Sequence, residues 1–290
     1  MTAKAKSFRE LLAGSSVGCM GVYDALTALL AQEAGAKALY ISGFAAAAVS
    51  AGVPDVGLIS QAEMADHIRR ICRATRLPVI ADADTGYGGV LNAQRTVQLW
   101  EEAGAAGLHL EDQVYPKRCG HIAGKEVITA AEMVHKIKGA LDARSSPDFF
   151  IIARTDAIAV TGLADAIARC KAYAAAGADA LFVDAPESEA QLKTISQELK
   201  GLGKPLMFNS ARTGKSPFLT EQRLRELGFT IVIYPVEAML AAHAAAKAVM
   251  RSILETGGTD AAAAAMTTFQ AFNDFIGLQQ HLDRETSYSG

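Results

Sequence analysis

The chain has 290 residues, half of them hydrophobic, and a net charge of −3; that is enough for a large core in one α/β domain or two ordinary ones, without the polycationic field a nucleic-acid partner needs. No apolar run reaches the roughly 18 residues that span a bilayer, and the polar start MTAKAKSFRE has no secretory apolar segment, so a cytoplasmic protein with no membrane partner is expected. Cys19, Cys72, Cys119 and Cys170 are far apart with no CxxC pair, which argues against a zinc site or a disulfide framework.

Short β-rich apolar runs recur at 16–22, 38–42, 78–82, 107–111, 149–154, 180–184, 205–209 and 230–235, with alanine-rich or amphipathic stretches between them. This is the pattern of repeated βα units around a parallel sheet. The segments EAGAKALYI, EAGAAGLHL, AAGADALFV and ELGFTIVI each place a glycine where a helix ends before the next strand. Eight such units, with no GxGxxG turn after the first strand, predict a (β/α)8 TIM barrel over residues 1–255. A helix is expected from 236 to about 255, then a Gly-Gly-Thr break at 257–259 and a helical extension within 256–290. In that extension Phe269, Phe272, Phe275, Ile276 and Leu278 fall at helical spacing, so it packs either on its own barrel or on a neighbouring subunit. The alanine runs 45–48 and 261–265 are expected to be close-packed helix surface, with no function read into them.

Nearly every apolar run finishes in a polar residue, and in a barrel these ends meet at one mouth. Asp82 and Asp84 are two apart at the third strand end, so both carboxylates are expected on one side. With Glu111 and with Asp55 of GVPDVG they make an oxygen-donor set suited to Mg²⁺, or Mn²⁺, rather than zinc. Asp24 and Asp112 are expected to do no more than cap the following helices. The stretch 109–121, HLEDQVYPKRCGH, runs from the fourth strand into a loop where Cys119 has Lys117 and Arg118 on one side and His121 on the other. A free thiol titrates around pH 8.5 and nearby cations favour the thiolate, so Cys119 is either a proton donor tuned towards neutrality or an ordinary thiol in a basic loop. Gly120 and Pro116 suit a loop that opens and closes.

KRCGH, preceded by LEDQ, resembles the signature loop of the isocitrate lyase and phosphoenolpyruvate mutase superfamily, in particular its methylisocitrate lyase and 2,3-dimethylmalate lyase branch. The resemblance runs through nearly the whole chain. ADADTGYGG is similar to the family's metal-binding segment, GVPDVG to the loop that supplies a water-mediated acid, YISGF (Ser42, Gly43) to its carboxylate-binding turn, and IIARTDA to the segment carrying its substrate-binding arginine, here Arg154. It implies a metal-dependent retro-aldol cleavage of a small 2-hydroxy di- or tricarboxylate, an oxo-acid-lyase reaction. Arg154 and the Ser42–Gly43 turn would then stabilise the carbanion and Cys119 would protonate it. Gly120, His121 and Asn209 are expected at the substrate, and the base for the hydroxyl proton is Tyr40, a metal-bound hydroxide or an acid on the sixth strand, Asp184. The alternative for Arg154 is an internal salt bridge to Asp156 or Asp184. Family members are typically tetramers that exchange C-terminal helices, so a homotetramer is expected.

Two positions depart from the family pattern. Asp184 stands where relatives usually carry glutamate, and Arg212 falls where they commonly carry glutamate; Arg212 therefore either binds an extra anionic group or faces outward. Pro235, in YP, resembles the lyases. An oxaloacetate hydrolase or decarboxylase is the nearest competing activity. A phosphoenolpyruvate mutase-type enzyme lacks the CysGlyHis loop, and a non-catalytic dicarboxylate binder would show affinity without turnover.

Overall fold

The computed structural model describes residues 2–120, 124–211, 214 and 216–288; His121 and Arg212 lie outside them. Eight parallel strands, β1 (Val17–Gly21), β2 (Ala38–Ile41), β3 (Val79–Asp82), β4 (Gly107–Glu111), β5 (Phe150–Thr155), β6 (Ala180–Val183), β7 (Leu206–Asn209) and β8 (Phe229–Tyr234), pair in sequence order and close β8 onto β1. The expected eight runs and the (β/α)8 architecture are what the chain forms. Helices α1 (Thr2–Gly14), α2 (Ala25–Glu33), α3 (Gly43–Ala51), α4 (Gln61–Ala74), α5 (Val90–Ala103), α6 (Ala130–Ala143), α7 (Leu163–Ala175), α8 (Glu189–Leu199) and α9 (Glu221–Glu226) accompany the strands, with two, α3 and α4, between β2 and β3.

Local signals set the element ends. Ser60 with Glu63 and Thr129 with Glu132 form reciprocal caps at the starts of α4 and α6. Gly35, Gly104, Gly177 and Gly228, one in each of the four predicted turns, all have positive φ, a backbone that other residues enter only at a steric cost. Asp24 caps α2 in a box with Thr27, as expected. Asp112 does not cap a helix; its four side-chain hydrogen bonds, described below, go to the end of β5 and to α7 instead.

Strand alternation divides the core in two. On β4, Leu108 and Leu110 belong to the shell between sheet and helices, with Trp100, Ile137 and Tyr173. His109 and Glu111 belong to the interior, where Cys19, Tyr40, Ile80, Ile152, Phe182 and Ile233 fill the barrel below the mouth. The expectation that runs 45–48 and 261–265 are packed helix surface is met only by the first. Ala45, Ala46 and Ala47 are buried on α3, whereas 260–265 is a 3-10 helix with Ala262 alone buried.

α1 was not expected from the sequence. Phe8 and Ala5 join the interior cluster, and Phe8 meets Phe150, the first residue of β5, edge to face at 5.2 Å. Arg9 reaches over the same ring to Asp179 at 3.0 Å and to the carbonyls of Pro147 and Asp148. α1 thus closes the N-terminal end of the barrel, and its signal was Phe8, Leu11 and Leu12 at helical spacing.

The chain divides into compact units Met1–Met239 and Leu240–Gly290. In the second, the rest of α10 (Glu237–Thr256) is followed by α11 (Phe269–Phe275) and α12 (Leu278–Thr286), and none of these three helices buries a residue. Phe269 and Leu254 are each 85% exposed. No helix among the described residues is long and apolar enough to cross a membrane.

Phe8→Ala should cost about 3–5 kcal/mol, the usual loss for a fully buried phenylalanine, read as a lower midpoint in urea unfolding. A loss under about 1 kcal/mol would show that the helix is an ornament on the barrel rather than its floor.

Candidate active site

Asp82 is the last residue of β3 and Asp84 lies beyond it, in a turn at φ 46°, a left-handed backbone that aspartate tolerates better than most residues. The two carboxylates therefore meet through this turn and not through strand alternation. Asp84 N–H donates to Asp82 Oδ1 at 3.0 Å, and Gly43 N–H, at the start of α3, donates to Asp82 Oδ2 at 3.0 Å. A Cβ on Gly43 would stand 3.0 Å from both carboxylates. The Gly43 amide expected to bind a substrate carboxylate is thus committed to Asp82; Ser42 is buried beside it and makes no capping bond. Lys117, from the loop after β4, inserts between the acids, its Nζ 2.6 Å from Asp55 and 2.8 Å from Asp84.

Across the mouth, Arg154 on β5 is ringed by carboxylates: Asp156 by Nε at 2.9 Å and Nη2 at 3.1 Å, Asp184 by Nη2 at 3.0 Å, and Glu111 by Nε at 3.3 Å. The internal ion pairs weighed for Arg154 therefore exist. Asn209 Nδ2 lies 3.5 Å from Asp184 Oδ1. Behind them Asp112 accepts from Thr155 Oγ1 (2.7 Å), Asp156 N–H (2.9 Å), Tyr173 Oη (2.7 Å) and Arg169 Nη1 (3.1 Å), so β4, β5 and α7 are tied at one buried carboxylate.

The loop carrying Cys119 lies down on this floor. Val114 N–H to Glu126 O and Ile128 N–H to Asp112 O close its base, and Gln113 holds the Arg118 backbone from both sides. Cys119 N–H donates to Asp55 O at 3.2 Å. A side chain on Gly120 would collide with Asp184 and come within 2.6 Å of Arg154 Nη2. Cys119, half-buried, thus sits between a lysine on the Asp55–Asp84 pair and a glycine against Arg154 and Asp184.

Burial opposes ionisation of Asp82, but His109, Lys117 and Arg154 outweigh it and hold the group at about 2. Asp84 is pushed to about 7 by burial, with Asp82 and Asp55 adding to the rise against Lys117. Burial also lifts Glu111 well above the carboxylate range, against Arg154. It brings His109 down to about 4 and holds Tyr40 well above its usual value. A neutral His109 and a protonated Tyr40 share one hydrogen bond, Oη to Nε2 at 2.7 Å. Tyr40 is consequently suited to donate a hydrogen bond rather than to act as the expected base.

A family model described as phosphoenolpyruvate phosphomutase matches residues 8–254. The chain belongs to the phosphoenolpyruvate mutase and isocitrate lyase superfamily. It is 40% identical over 286 residues, 98% of each chain, to the 2,3-dimethylmalate lyase of Eubacterium barkeri. It is 42% identical over 269 residues, 93% of this chain and 85% of the relative, to the 2-methylisocitrate lyase of Aeropyrum pernix. The structure of an oxaloacetate acetylhydrolase superposes with a TM-score of 0.92 at 33% identity, covering 100% of this chain and 98% of the other. The relatives named as lyases support a carbon–carbon lyase enzyme.

Superfamily members use a divalent metal, and the donor chemistry here fits one. Among the described residues no three His, Cys, Asp or Glu side chains already stand as a metal cluster, since Lys117 separates Asp55 from Asp84 and Arg154 faces Glu111. Yet both Glu111 oxygens are buried without a hydrogen-bond partner among those residues. Among the described residues seven carboxylates are buried beside five lysines and arginines, an excess of oxygen donors that suits a divalent cation. Sequence reasoning missed Lys117 and Lys125 as ion-pair partners of the acids and His109 as the partner of Tyr40. For His109 the available signal was its place two residues before Glu111 on one strand.

Gly120→Ala should leave the unfolding midpoint almost unchanged while lowering kcat about a hundredfold, because the added methyl holds the loop off Asp184 and a misplacement of about 1 Å has that effect. Steady-state kinetics beside a thermal melt measures it, and a fully active variant would show that the closed loop is not the working one.

Proposed function

We propose that the protein is a Mg²⁺-dependent lyase, Mn²⁺ serving in its place, that cleaves a small 2-hydroxy di- or tricarboxylate of the 2-methylisocitrate or 2,3-dimethylmalate type to a 2-oxo acid and a carboxylate. The observation that supports it most is the seat of Cys119, on a loop pinned at Lys117 to the acids and at Gly120 to Arg154 and Asp184. A proton donor is brought over a floor that combines acids with an arginine, which is what forming and quenching a carbanion requires.

Asp82, Asp84 and Glu111, with Asp55 acting through water, would hold the cation. When bound it supplies Lewis-acid polarisation and charge neutralisation at the substrate's hydroxyl and carboxylate oxygens. Asp184 takes the hydroxyl proton. The C2–C3 bond then breaks: its electron pair stays on C3, next to that fragment's own carboxylate, and C2 becomes the carbonyl of the 2-oxo acid. Arg154 offsets the charge that develops on that carboxylate, the Cys119 thiol delivers its proton to C3, and the loop keeps bulk water from doing so. Ser42, Asn209 and Gly120 would line the substrate's place; the roles expected of His121 and Arg212 fall outside the described residues. The exposed apolar residues of α10, α11 and α12 support burial against a neighbouring subunit; the proposed assembly is a homotetramer with exchanged C-terminal helices, and the proposed location is the cytoplasm.

The likeness to an oxaloacetate acetylhydrolase favours a second reading, hydrolysis or decarboxylation of oxaloacetate, in which the same floor stabilises a smaller enolate. A panel of 2-methylisocitrate, isocitrate, 2,3-dimethylmalate, citramalate and oxaloacetate, assayed with Mg²⁺ and with chelator, distinguishes the two by the products formed. Turnover of phosphonopyruvate alone would sink both, and saturable binding without product would make the protein a dicarboxylate binder. On the preferred substrate Cys119→Ala should lower kcat by about 10²–10⁴-fold, the range for a lost general acid, with KM little changed. Asp82→Asn should weaken Mn²⁺ binding measured by paramagnetic resonance.

A further inference from the structure

The geometry points to Lys125 and Asp156 as positioning residues that make the charge of Arg154 available to a substrate carboxylate only while the Cys119 loop is closed. This rests on the reading of Arg154 as the substrate's anchor. Lys125 Nζ donates to Gly120 O at 2.6 Å and to Asp156 Oδ1 at 2.8 Å. Both side chains are buried.

Asp156 is the two-pronged partner of Arg154, which also faces Asp184 and Glu111. With Glu111 left to the cation, the two carboxylates of Asp156 and Asp184 around one guanidinium still over-neutralise it, so an arriving substrate anion meets net negative charge. An ammonium 2.8 Å from Asp156 cancels one of the two, and in a mouth of low dielectric that is a strong interaction. The same ammonium holds the Gly120 carbonyl, whose residue abuts Arg154 and Asp184. Closure of the loop and restoration of the Arg154 field are therefore one event. Asp156 is anchored for this role. Its N–H is held by Asp112, which Thr155, Tyr173 and Arg169 fix in turn, and Arg169 also holds Ile128 O at the far end of the loop. A lysine that only filled space here would be replaceable by an apolar side chain of equal length; one that supplies charge would not.

The test compares the full-length protein with Lys125→Met, Lys125→Arg, Asp156→Asn and the Lys125→Met/Asp156→Asn double variant, all with Mg²⁺. Three quantities are read: kcat and KM on the panel substrate, the calorimetric affinity for oxalate as a dianion probe, and amide deuterium exchange in segment 113–120. Lys125→Met should lose about tenfold or more in oxalate affinity and in kcat, in line with lost positioning, and should exchange several-fold faster in the loop. Lys125→Arg should recover part of each. In the Lys125→Met background Asp156→Asn should cost less than it does alone, because the carboxylate that Lys125 offsets is gone. Unchanged oxalate affinity in Lys125→Met, or strictly additive effects in the double variant, overturns the coupling. If Lys125→Met does not fold, Lys125→Arg and Lys125→Gln carry the same comparison. Should no hydroxy acid turn over while oxalate binding still follows Lys125, the lyase reading fails and the coupling stands.

Discussion

Buried carboxylates crowd the mouth of this barrel, and the cost of ionising them out of water is the constraint to which the rest of the site responds. An isolated buried carboxylate costs several kcal/mol after relaxation, so the cluster exists only because cations are interleaved with it. Arg154 rises from the floor, Arg169 comes from α7, Lys136 from α6 reaches the Thr85 carbonyl, and Lys117 and Lys125 descend with the loop. Two of the five buried cations among the described residues thus belong to the element that carries the thiol.

That distribution ties electrostatics to motion. A loop held by apolar packing alone would close whether or not the acids were ionised; one held by Lys117 and Lys125 closes on charge. Lys117 also stands between Asp55 and Asp84, two of the acids proposed to hold the divalent ion, so the proposed cation and the lysine side chain would draw on the same carboxylates. The rise of Asp84 towards neutrality, with burial first and Asp82 and Asp55 behind it, shows how little compensation the cluster has to spare.

The barrel makes such a cluster possible by separating tasks along each strand. On β4, Leu108 and Leu110 pack outward, while His109 closes the apolar interior with Tyr40 and Phe182 and Glu111 opens into the mouth. On β5, Phe150 meets Phe8 at the closed end, and Arg154 stands four residues on at the open end. Stability is concentrated where α1 plugs the floor, and chemistry where the strands end, so the polar rim adds its strain to a core that does not depend on it.

The eight strands, the barrel and the acids at its rim were legible in the residues themselves, because short apolar runs ending in Asp, Glu, Arg or Asn between helical stretches are a local pattern. KRCGH and ADADTGYGG carried the superfamily for the same reason: short contiguous strings survive being read without a fold. Which side chains meet was another matter. Lys117 on Asp55, Lys125 on Asp156, the Gly43 amide on Asp82, and Asp112 as a four-way anchor instead of a cap all join positions about 30 to 60 apart in the chain. Ion pairs and hydrogen bonds are fixed by distances of a few ångströms that closure of the barrel alone sets, whereas residue type and spacing state only what each group is able to do.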